Sequence, residues 1–400
     1  MSAVAKTAQS SFAFQEKYHG FSQALSGLTA ASTDLNVVSN NISNSQTVGF
    51  KSSTTQFADV YSGADVGLGT SVSGVVQNFA SGSLTTTDNE LDLAINGEGF
   101  LTFTDGTQTV YSRNGQLTLT ADGYLENAAG DQLLGVNGVI QIPTAGMQAS
   151  ASTEVDAELN LDASEDIITD TFDLTDSSTY SYSTSTTLYD SLGVSHTSTL
   201  YFSKTAENTW EVHTAIDGNL LTETQTVEFS SSGLITSGET GTYTYDPDNG
   251  AAAMTIALDL TGTTQFGNDS EVSDISQNGY TSGSLVSFTI DDTGMVVATY
   301  SNDQTQDIDQ IQLATFSNEN GLQSNGDNTW LATAESGQAL LGVASSGSLG
   351  SILSGATEDS NVDLTAELVN LIIAQRNFQA NAKSVTAQSE VLQQAVNIGS

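Results

Sequence analysis

The stretch from residue 364 to residue 396, LTAELVNLIIAQRNFQANAKSVTAQSEVLQQAV, decides the fold of the carboxyl end of the chain. Apolar, small or amide-bearing side chains recur in it at alternating steps of four and three residues. They are Leu364, Leu368, Leu371, Gln375, Phe378, Ala382, Val385, Ser389, Leu392 and Val396. A heptad seam sustained over four repeats predicts a long amphipathic helix with coiled-coil-like packing. Ser360 and Asp363 give the helix a capping-box-like start, and Gly399 is a natural stop.

The amino end carries a less regular version of the same pattern over residues 20–45. Its larger apolar side chains are Phe21, Leu25, Leu28, Leu35, Val38 and Ile42. An amphipathic helix needs a partner for its apolar seam, and the natural partner of each terminal helix is the other one. We therefore predict a terminal helical domain built from residues 20–45 and 360–400. Two uses of it stay open: a helix pair that assembles with other copies, and an ordinary helix hairpin within one molecule.

The residues between the two helices show strand and turn patterns throughout. Segments such as 199–202 and 286–290 are rich in β-branched and aromatic residues. Turn sequences such as 190–193 and 246–250 separate the strands. Strands and helices do not alternate, so antiparallel β domains fit better than a parallel α/β sheet. The predicted fold class is mainly β with terminal α-helices.

Composition shifts divide this β region. A Ser/Thr/Asp-rich stretch follows Pro143, and a second boundary lies near Asn278. The predicted parts are an inner antiparallel β domain (88–145 and 280–359), an outer antiparallel β domain (146–279), and a linker or small hairpin (46–87).

The charge balance is strongly acidic, with 47 Asp and Glu against 7 Lys and Arg, a formal net charge of −40. Such a surface repels phosphate backbones and anionic lipids, so we expect no nucleic-acid partner and no membrane insertion. Most carboxylates must be solvated, which favours a role in solubility. An acidic, calcium-dependent extracellular adhesin is an alternative function, because residues 246–250 place carboxylates near a Gly turn. The regular ligand spacing of an EF-hand is missing there.

Residues that could support catalysis are few. The chain has no cysteine, and its three histidines, His19, His196 and His213, show no metal-ligand or catalytic spacing. No Gly-rich nucleotide-binding loop is evident. We therefore predict that the protein is not an enzyme and needs no cofactor or metal. No apolar run approaches the length of a membrane span.

Two short motifs near the ends of the chain are specific. The first supplies Asn40, Asn41, Asn44, Thr47, Gly49, Phe50 and Lys51, and the second supplies Gln375, Arg376, Gln379 and Asn381. Together they resemble the terminal signatures of the flagellar rod and hook protein family. Residues 91–95 and 111–115 look like the inner β domain shared across that family. Residues 189–193 resemble the outer domain of its hook-type members, and the resemblance extends from about Gly20 to the C-terminus.

The resemblance implies a structural subunit of the bacterial flagellar hook, the flexible tubular joint that links rod to filament and transmits torque for motility. A distal-rod-type axial protein is the nearest alternative. The implied partners are further copies of the chain in an open helical polymer, the distal rod protein, the hook cap, the hook–filament junction protein and the flagellar type III export apparatus. The implied location is the hook and basal body, reached by type III export from the cell.

The resemblance also assigns roles to residues. The residues expected to hold the inner tube together are Phe21, Leu25, Leu28, Leu35, Val38, Ile42, Leu364, Leu368, Leu371, Phe378, Val385, Leu392 and Val396. We expect Asn40, Asn41 and Asn44 to fix the turn after the first helix or to bond to neighbours. Gly49 is expected to supply a backbone conformation that other residues resist. Lys51 and Arg376 are rare cations, expected to bridge acidic surfaces between subunits or to stay solvated.

Two expectations concern order at the chain ends. Family members usually begin near Gly20, so residues 1–19 are expected to form a flexible N-terminal extension. Burying the seam side chains in a helix pair only marginally offsets the conformational entropy lost on ordering both helices, so order requires further surface buried by neighbouring copies. We therefore expect the ends to be largely disordered in the free subunit and to fold on polymerisation.

Overall fold

A computed structural model describes the backbone of residues 2–61 and 67–399. In the terminal helices the side chains are described from Gly20 to Val391 and at positions 393 and 394. The chain divides into two compact units. Unit 1 contains residues 1–142, 288–297 and 307–400, and unit 2 contains residues 143–287 and 298–306.

The first part of unit 1 contains one long helix and a series of short strands. Their bounds are α1 (Ser2–Ser43), β1 (Ser53–Asp59), β2 (Thr70–Gln77), β3 (Leu84–Thr86), β4 (Asp92–Asn96), β5 (Phe100–Thr104), β6 (Thr109–Ser112), β7 (Gly115–Gln116), β8 (Thr118–Leu119), β9 (Leu125–Glu126), β10 (Gln132–Gly135) and β11 (Gly138–Val139).

Unit 2 contains the longer strands and a short 3-10 turn at Ser177–Thr179. Its strands are β12 (Glu154–Asp162), β13 (Tyr182–Tyr189), β14 (Ser195–Ala206), β15 (Thr209–Ile216), β16 (Asn219–Phe229), β17 (Ile235–Ser237), β18 (Thr240–Tyr245), β19 (Met254–Asp259), β20 (Thr264–Phe266) and β21 (Glu271–Gln277).

The rest of the chain returns to unit 1. The chain crosses between the units within β22 (Leu285–Ile290), β23 (Met295–Tyr300) and β24 (Thr305–Gln310). The elements that follow are β25 (Gln312–Thr315), a 3-10 turn (Glu319–Gly321), β26 (Gln323–Gly326), β27 (Thr329–Leu331), β28 (Leu340–Val343), β29 (Ser351–Ser354), β30 (Ala356–Glu358) and α2 (Leu364–Gly399).

The core of unit 1 lies under a sheet that joins early and late parts of the chain. Its strand order is β26-β27-β6-β5-β10-β9-β8, and β25 pairs with β5 and β28. Edge-to-face aromatic contacts fill one side, with ring centroids 4.8 to 5.9 Å apart. The rings belong to Phe79, Phe100, Tyr111, Phe316 and Trp330. Two further pairings, β29 with β4 and β30 with β3, bring the segment before α2 back to the start of the unit.

Unit 2 encloses a second core between two sheets. One sheet has the antiparallel order β13-β14-β15-β16-β17. The other is built around β12, in which Val155, Ala157, Leu159 and Leu161 are buried and alternate with polar residues. The indole of Trp210 is fully buried, and its Nε1 donates to Gln265 Oε1 at 2.8 Å.

The prediction of wholly antiparallel β domains is wrong for this second sheet. Strand β12 pairs antiparallel with β21 but parallel with both β19 and β20, so the sheet is mixed. The reason is topological: β18 and β19 form a hairpin, and that hairpin adds to the sheet through β19, whose direction matches that of β12. Strand patterns show which residues are extended but not which neighbour each strand selects.

The boundaries between the units differ from those predicted. The chain enters unit 2 at Pro143 rather than after residue 145, and it returns at Phe288 rather than at 280. Residues 298–306, predicted for the inner domain, belong to unit 2. These residues form the ends and the turn of the β23–β24 hairpin, and turn chemistry does not specify which body a hairpin packs on.

Residues 46–87 contain the hairpin that was one of the two predictions for this segment. Strands β1 and β2 pair antiparallel from Ser53 opposite Gln77 to Asp59 opposite Thr70, with a bulge after Gln56.

Helix α1 begins at Ser2, so the backbone of residues 2–19 is helical where a flexible extension was predicted. That segment contains four Ala, two Gln and two Lys and lacks Pro, which favours a helix. Over the described residues neither helix is long and apolar enough to cross a bilayer.

Candidate assembly surface and its buried anchor

The two terminal helices lie antiparallel against each other. A side chain added at Gly27 would lie 2.9 Å from Asn381 Oδ1, and one added at Gly20 would lie 2.8 Å from Gln388 Nε2. Farther along the pair, Asn41 Nδ2 donates to Glu367 Oε1 at 3.1 Å. The face of α2 turned toward α1 is formed by Glu367, Leu371, Ala374, Phe378, Asn381, Val385 and Gln388, which are buried or half-buried. The spacing of these residues alternates between four and three, as in an antiparallel coiled coil.

The opposite face of α2 is apolar and uncovered. Leu364, Leu368, Val369, Ile372 and Ile373 have exposed fractions between 43% and 53%. We call these five residues the open face. Leu25 on α1 is similarly exposed, at 47%. Contiguous exposed apolar patches are typical of protein interaction sites.

The predicted seam departs from the contact with α1 at the start of α2. Leu364 and Leu368, which we expect to hold the inner tube together, lie on the open face, and Ala374 occupies the most buried position of the contact with α1. Nearly every residue from 368 to 374 is apolar, so the sequence offers more than one face of the right width. Leu371, Phe378 and Val385 do lie in the contact, and Val38 of α1 is buried. Leu392 and Val396 lie outside the residues whose side chains are described.

The asparagines of the first motif form hydrogen bonds at the turn that ends α1. Asn41 is buried, and its amide bonds to the backbone of Ser53 in both directions, at 2.8 and 3.0 Å. Asn44 Nδ2 donates to the carbonyl of Asn40 at 3.0 Å, and Asn44 Oδ1 accepts from the Thr47 hydroxyl at 3.2 Å. The chain is thereby turned from α1 into β1, with Asn41 in contact with both helices.

Gly49 has the predicted special backbone. Its φ is +71°, and an added Cβ would lie 2.7 Å from the Asn114 nitrogen. The Gly49 N–H donates to the carbonyl of Glu358 at 2.7 Å. Phe50, the next residue, is buried. The motif around Gly49 therefore serves to seat the segment after α1 against the segment before α2.

A buried ionic cluster lies at this meeting point. Lys51 Nζ is 2.6 Å from Glu358 Oε1, and Arg113 Nη1 is 3.3 Å from Glu358 Oε2. The Lys51 and Glu358 side chains are fully buried, and Arg113 is nearly so. Glu358 Oε1 also accepts from the Gly82 N–H at 2.8 Å, and Lys51 Nζ donates to the Ala80 carbonyl at 2.9 Å. We call Lys51, Arg113 and Glu358 the ionic anchor.

Burial in the ionic anchor lowers the pKa of Lys51, although the Glu358 carboxylate opposes that effect. The prediction that Lys51 bridges subunits or stays solvated is therefore wrong, because its ammonium is enclosed within its own chain. Arg376, its predicted counterpart, is exposed on α2. The sequence could not show that Lys51 is buried and Arg376 exposed, because neither motif indicates which carboxylate pairs with which cation.

Asn361 and Asp363 complete the connection between the ionic anchor and α2. Asn361 Oδ1 accepts from the Ser52 N–H at 2.8 Å, and its Nδ2 donates to the carbonyls of Asn78 and Ala80. Asp363 caps α2 by accepting from the Thr365 and Ala366 N–H groups at 2.9 and 3.1 Å, as its position predicted. Helix α2 therefore starts from a segment that is fixed to the residues following α1.

The remaining motif residues on α2 are at its surface. Gln375 and Gln379 are exposed, and Asn381 is half-buried beside α1. The residues that the sequence prediction missed are Arg113, Glu358 and Ala374. A buried acid in a chain with 47 carboxylates carries no distinguishing signal in one sequence. A lone Ala in an apolar stretch is equally inconspicuous.

Metal chemistry finds no support in the described residues. There, His, Asp and Glu side chains form no group of three able to hold a metal ion. The 246–250 turn, which suggested calcium, directs Asp246 Oδ1 toward the Asp248 N–H at 3.2 Å and Asn249 Nδ2 toward Asp190 Oδ2 at 2.7 Å.

Four stretches of the chain match families of flagellar axial proteins. Residues 22–51 match the flagella basal body rod protein family, and residues 94–162 match the flagellar hook protein FlgE/F/G D1 domain. Residues 160–280 match the flagellar basal body protein FlaE D2 domain, and residues 353–398 match the flagellar basal body rod FlgEFG protein C-terminal family. The paired terminal helices and the β units between them thus define a flagellar axial protein.

Individual relatives narrow the class. The flagellar hook protein FlgE of Salmonella typhimurium is 42% identical over 400 residues, covering 94% of this chain and 99% of the relative. The hook protein FlgE of Escherichia coli K12 is 42% identical with the same coverage, and that of Borreliella burgdorferi is 29% identical. The chain belongs to the flagellar hook protein FlgE family. The crystal structure of Helicobacter pylori flagellar hook protein FlgE2 shares the fold, with a TM-score of 0.54 at 14% identity over 67% of this chain and 98% of that one.

We predict that the Glu358→Gln variant loses about 3–5 kcal/mol of the free energy of unfolding of unit 1, because two buried cations lose their carboxylate. Lys51→Met should cost less, about 1–2 kcal/mol, because Arg113 still neutralises Glu358. The measurement is urea unfolding followed by Trp330 fluorescence in a Trp210→Phe background, so that the signal reports unit 1 alone.

The control is Arg376→Gln, which removes an exposed cation and should change the free energy of unfolding by less than about 0.5 kcal/mol. Equal effects of Glu358→Gln and Arg376→Gln would contradict a structural role for the ionic anchor.

Proposed function

We propose that this chain is the structural subunit of a flagellar hook and that the open face of α2 is covered by α-helices of neighbouring copies in the hook. The observation that carries the proposal is the division of α2 into two apolar faces. One packs on α1 of the same chain, and the other exposes five large apolar side chains. A helix that is apolar on two sides needs partners on both.

The family supports the same conclusion. Its hook members match nearly the whole chain, including unit 2. A distal-rod-type protein, the alternative proposal, does not require unit 2. Membership in the hook protein family is also preferred to the alternative of a calcium-dependent adhesin, because an adhesin gives no reason for two paired terminal helices. The family is one of structural proteins, in keeping with the prediction that the chain is not an enzyme.

Assembly through the open face has a geometric consequence. We infer that the open face packs on a different surface of the neighbouring copy, which makes the contact heterologous. Repeated heterologous contacts that do not close generate an open helical filament. We infer that unit 1, including its terminal helices, forms the wall of the tube. By family resemblance, the distal rod protein, the hook cap, the hook–filament junction protein and the export apparatus are further partners, in the hook and basal body outside the cell.

Ile372→Asp should abolish polymerisation while leaving the free subunit folded. Ile372 lies on the open face and is 51% exposed, so the new carboxylate is solvated in the monomer but buried beside a neighbour in the polymer. The measurement is sedimentation of polymer after salt-induced assembly, together with thermal unfolding of the monomer.

Ser384→Asp is the matched control, because it adds the same charge at an exposed polar position of α2. It should polymerise at a critical concentration close to that of the parent chain. Tubes of normal yield from the Ile372→Asp variant would show that the open face is not an assembly contact.

We also expect the dilute subunit to contain less helix than the 42 residues of α1 and 36 of α2 would give, and to gain the difference on polymerisation. The reason is that the α1–α2 contact leaves the apolar side chains of the open face in water, so order at the ends depends on neighbours. Far-ultraviolet circular dichroism of monomer and polymer measures this, and the full helix signal in the dilute monomer would contradict it.

A further inference from the structure

His196 in unit 2 is enclosed by carboxylates that the assembly surface does not use. Its ring is buried, with an exposed fraction of 6%. Nδ1 lies 2.7 Å from Asp217 Oδ2, and Nε2 lies 3.3 Å from Asp190 Oδ2. Asp190 is fully buried, whereas Asp217 reaches the surface. The aromatic ring of Tyr245 packs edge-on against the imidazole, with centroids 5.3 Å apart.

The geometry determines the protonation state of the ring. A carboxylate can only accept hydrogen bonds, and a neutral imidazole has one N–H group. Contacts from both ring nitrogens to carboxylate oxygens therefore need both nitrogens protonated, which makes His196 a cation. The sequence leaves no other cation for this place, because Lys204 is the only Lys or Arg between Arg113 and Arg376. Lys204 is engaged elsewhere, donating to the carbonyls of Ala163 and Glu165.

The two carboxylates belong to separate loops. Asp190 begins the turn between β13 and β14, where its Oδ1 accepts from the N–H groups of Leu192 and Val194 at 2.9 and 2.8 Å. Asp217 lies in the turn between β15 and β16, and its Oδ1 accepts from the Thr197 N–H. A third loop joins them, because Asn249 Nδ2 donates to Asp190 Oδ2 at 2.7 Å and the Tyr245 hydroxyl donates to Asp217 Oδ2 at 3.3 Å.

This cluster lies where the chain enters and leaves unit 2. Tyr189, next to Asp190, forms two hydrogen bonds with Ser152. The Ser152 N–H donates to the Tyr189 carbonyl at 2.8 Å, and the Tyr189 N–H donates to the Ser152 hydroxyl at 2.9 Å. A side chain added at Gly193 would lie 2.9 Å from Ala149 Cβ and 3.4 Å from Thr281 Cα. The turn that Asp190 organises thus packs on both the entering and the leaving segment.

We propose that protonated His196 is a pH-dependent clasp that holds the 190–194 turn, the 217–218 turn and the 246–252 loop together at the root of unit 2. Loss of the Nε2 proton leaves the buried Asp190 carboxylate opposite a lone pair. The 190–194 turn and the two chain segments beneath it then loosen. The groups that face the imidazole are Asp190 and Asp217, with the Tyr245 ring against it and Asp246 next along the chain.

The electrostatics of the cluster agree with this geometry. Burial lowers the pKa of His196, but hydrogen bonds to Asp217 and Asp190 outweigh burial, and the pKa is raised above its ordinary value of about 6.5. Burial would raise the pKa of Asp190, but hydrogen bonds from Asn249, the backbone and His196 bring it to about 2. Because the folded-state pKa of His196 is raised, the stabilisation is complete below about pH 6.5 and is lost as the pH rises through that folded-state pKa.

The test is ring-nitrogen NMR on the monomeric full chain labelled at histidine. We expect His196 to carry protons on both nitrogens up to a midpoint above about pH 6.5. His213 serves as an internal control in the same unit, because burial lowers its pKa despite Glu211 at 3.5 Å. A His196 midpoint at or below the ordinary value would overturn the proposal.

Variants separate the clasp from a purely structural role. Asp217→Asn should lower the His196 midpoint by about one pH unit, a tenfold loss of proton affinity, whereas Glu211→Gln should move only His213. Hydrogen-exchange protection factors of the Leu192 and Val194 amides should fall as the pH of the parent chain passes the His196 midpoint. If those protection factors stay constant with pH, the clasp does not exist, whatever the folding state of the variants.

Discussion

The return of the segment before α2 to the segment after α1 is the constraint on which unit 1 depends. Glu358 makes this closure specific, because its carboxylate neutralises Lys51 and Arg113 and its backbone accepts from Gly49. A buried ion pair contributes little net stability, but removing one partner is costly. The ionic anchor therefore favours one register of the chain over all others. Once that register is set, the end of α1 lies beside the start of α2, so the two helices pack antiparallel.

The helix pair that results leaves one apolar face of α2 uncovered. Small residues such as Ala374 and Gly27 let the two helices approach closely, so one face of α2 is satisfied within the chain. The open face, centred on Ile372, is then the natural contact for another copy. Unit 2 has its own hydrophobic core and its own charge cluster at His196, and neither includes residues of the helix pair.

The sequence predicted the class of fold, the two terminal helices, the cap at Asp363 and the special backbone of Gly49, because each depends on local periodicity or local chemistry. It failed where partners are distant. The register of α2 could not be chosen because residues 368–374 are apolar on several faces. Lys51 was assigned to the surface because its buried partner, Glu358, lies 307 residues away. The parallel pairing of β12 with β19 was missed because strand patterns do not encode neighbours.

The central claim is that the open face of α2 is solvated in the free subunit and covered in the polymer. The chain has no cysteine, so a single Ile372→Cys substitution gives one thiol to measure. The thiol should react rapidly with a soluble maleimide in dilute subunit and at least about tenfold more slowly in assembled tubes, because neighbouring helices then exclude the reagent. Equal labelling rates in monomer and polymer would contradict the account.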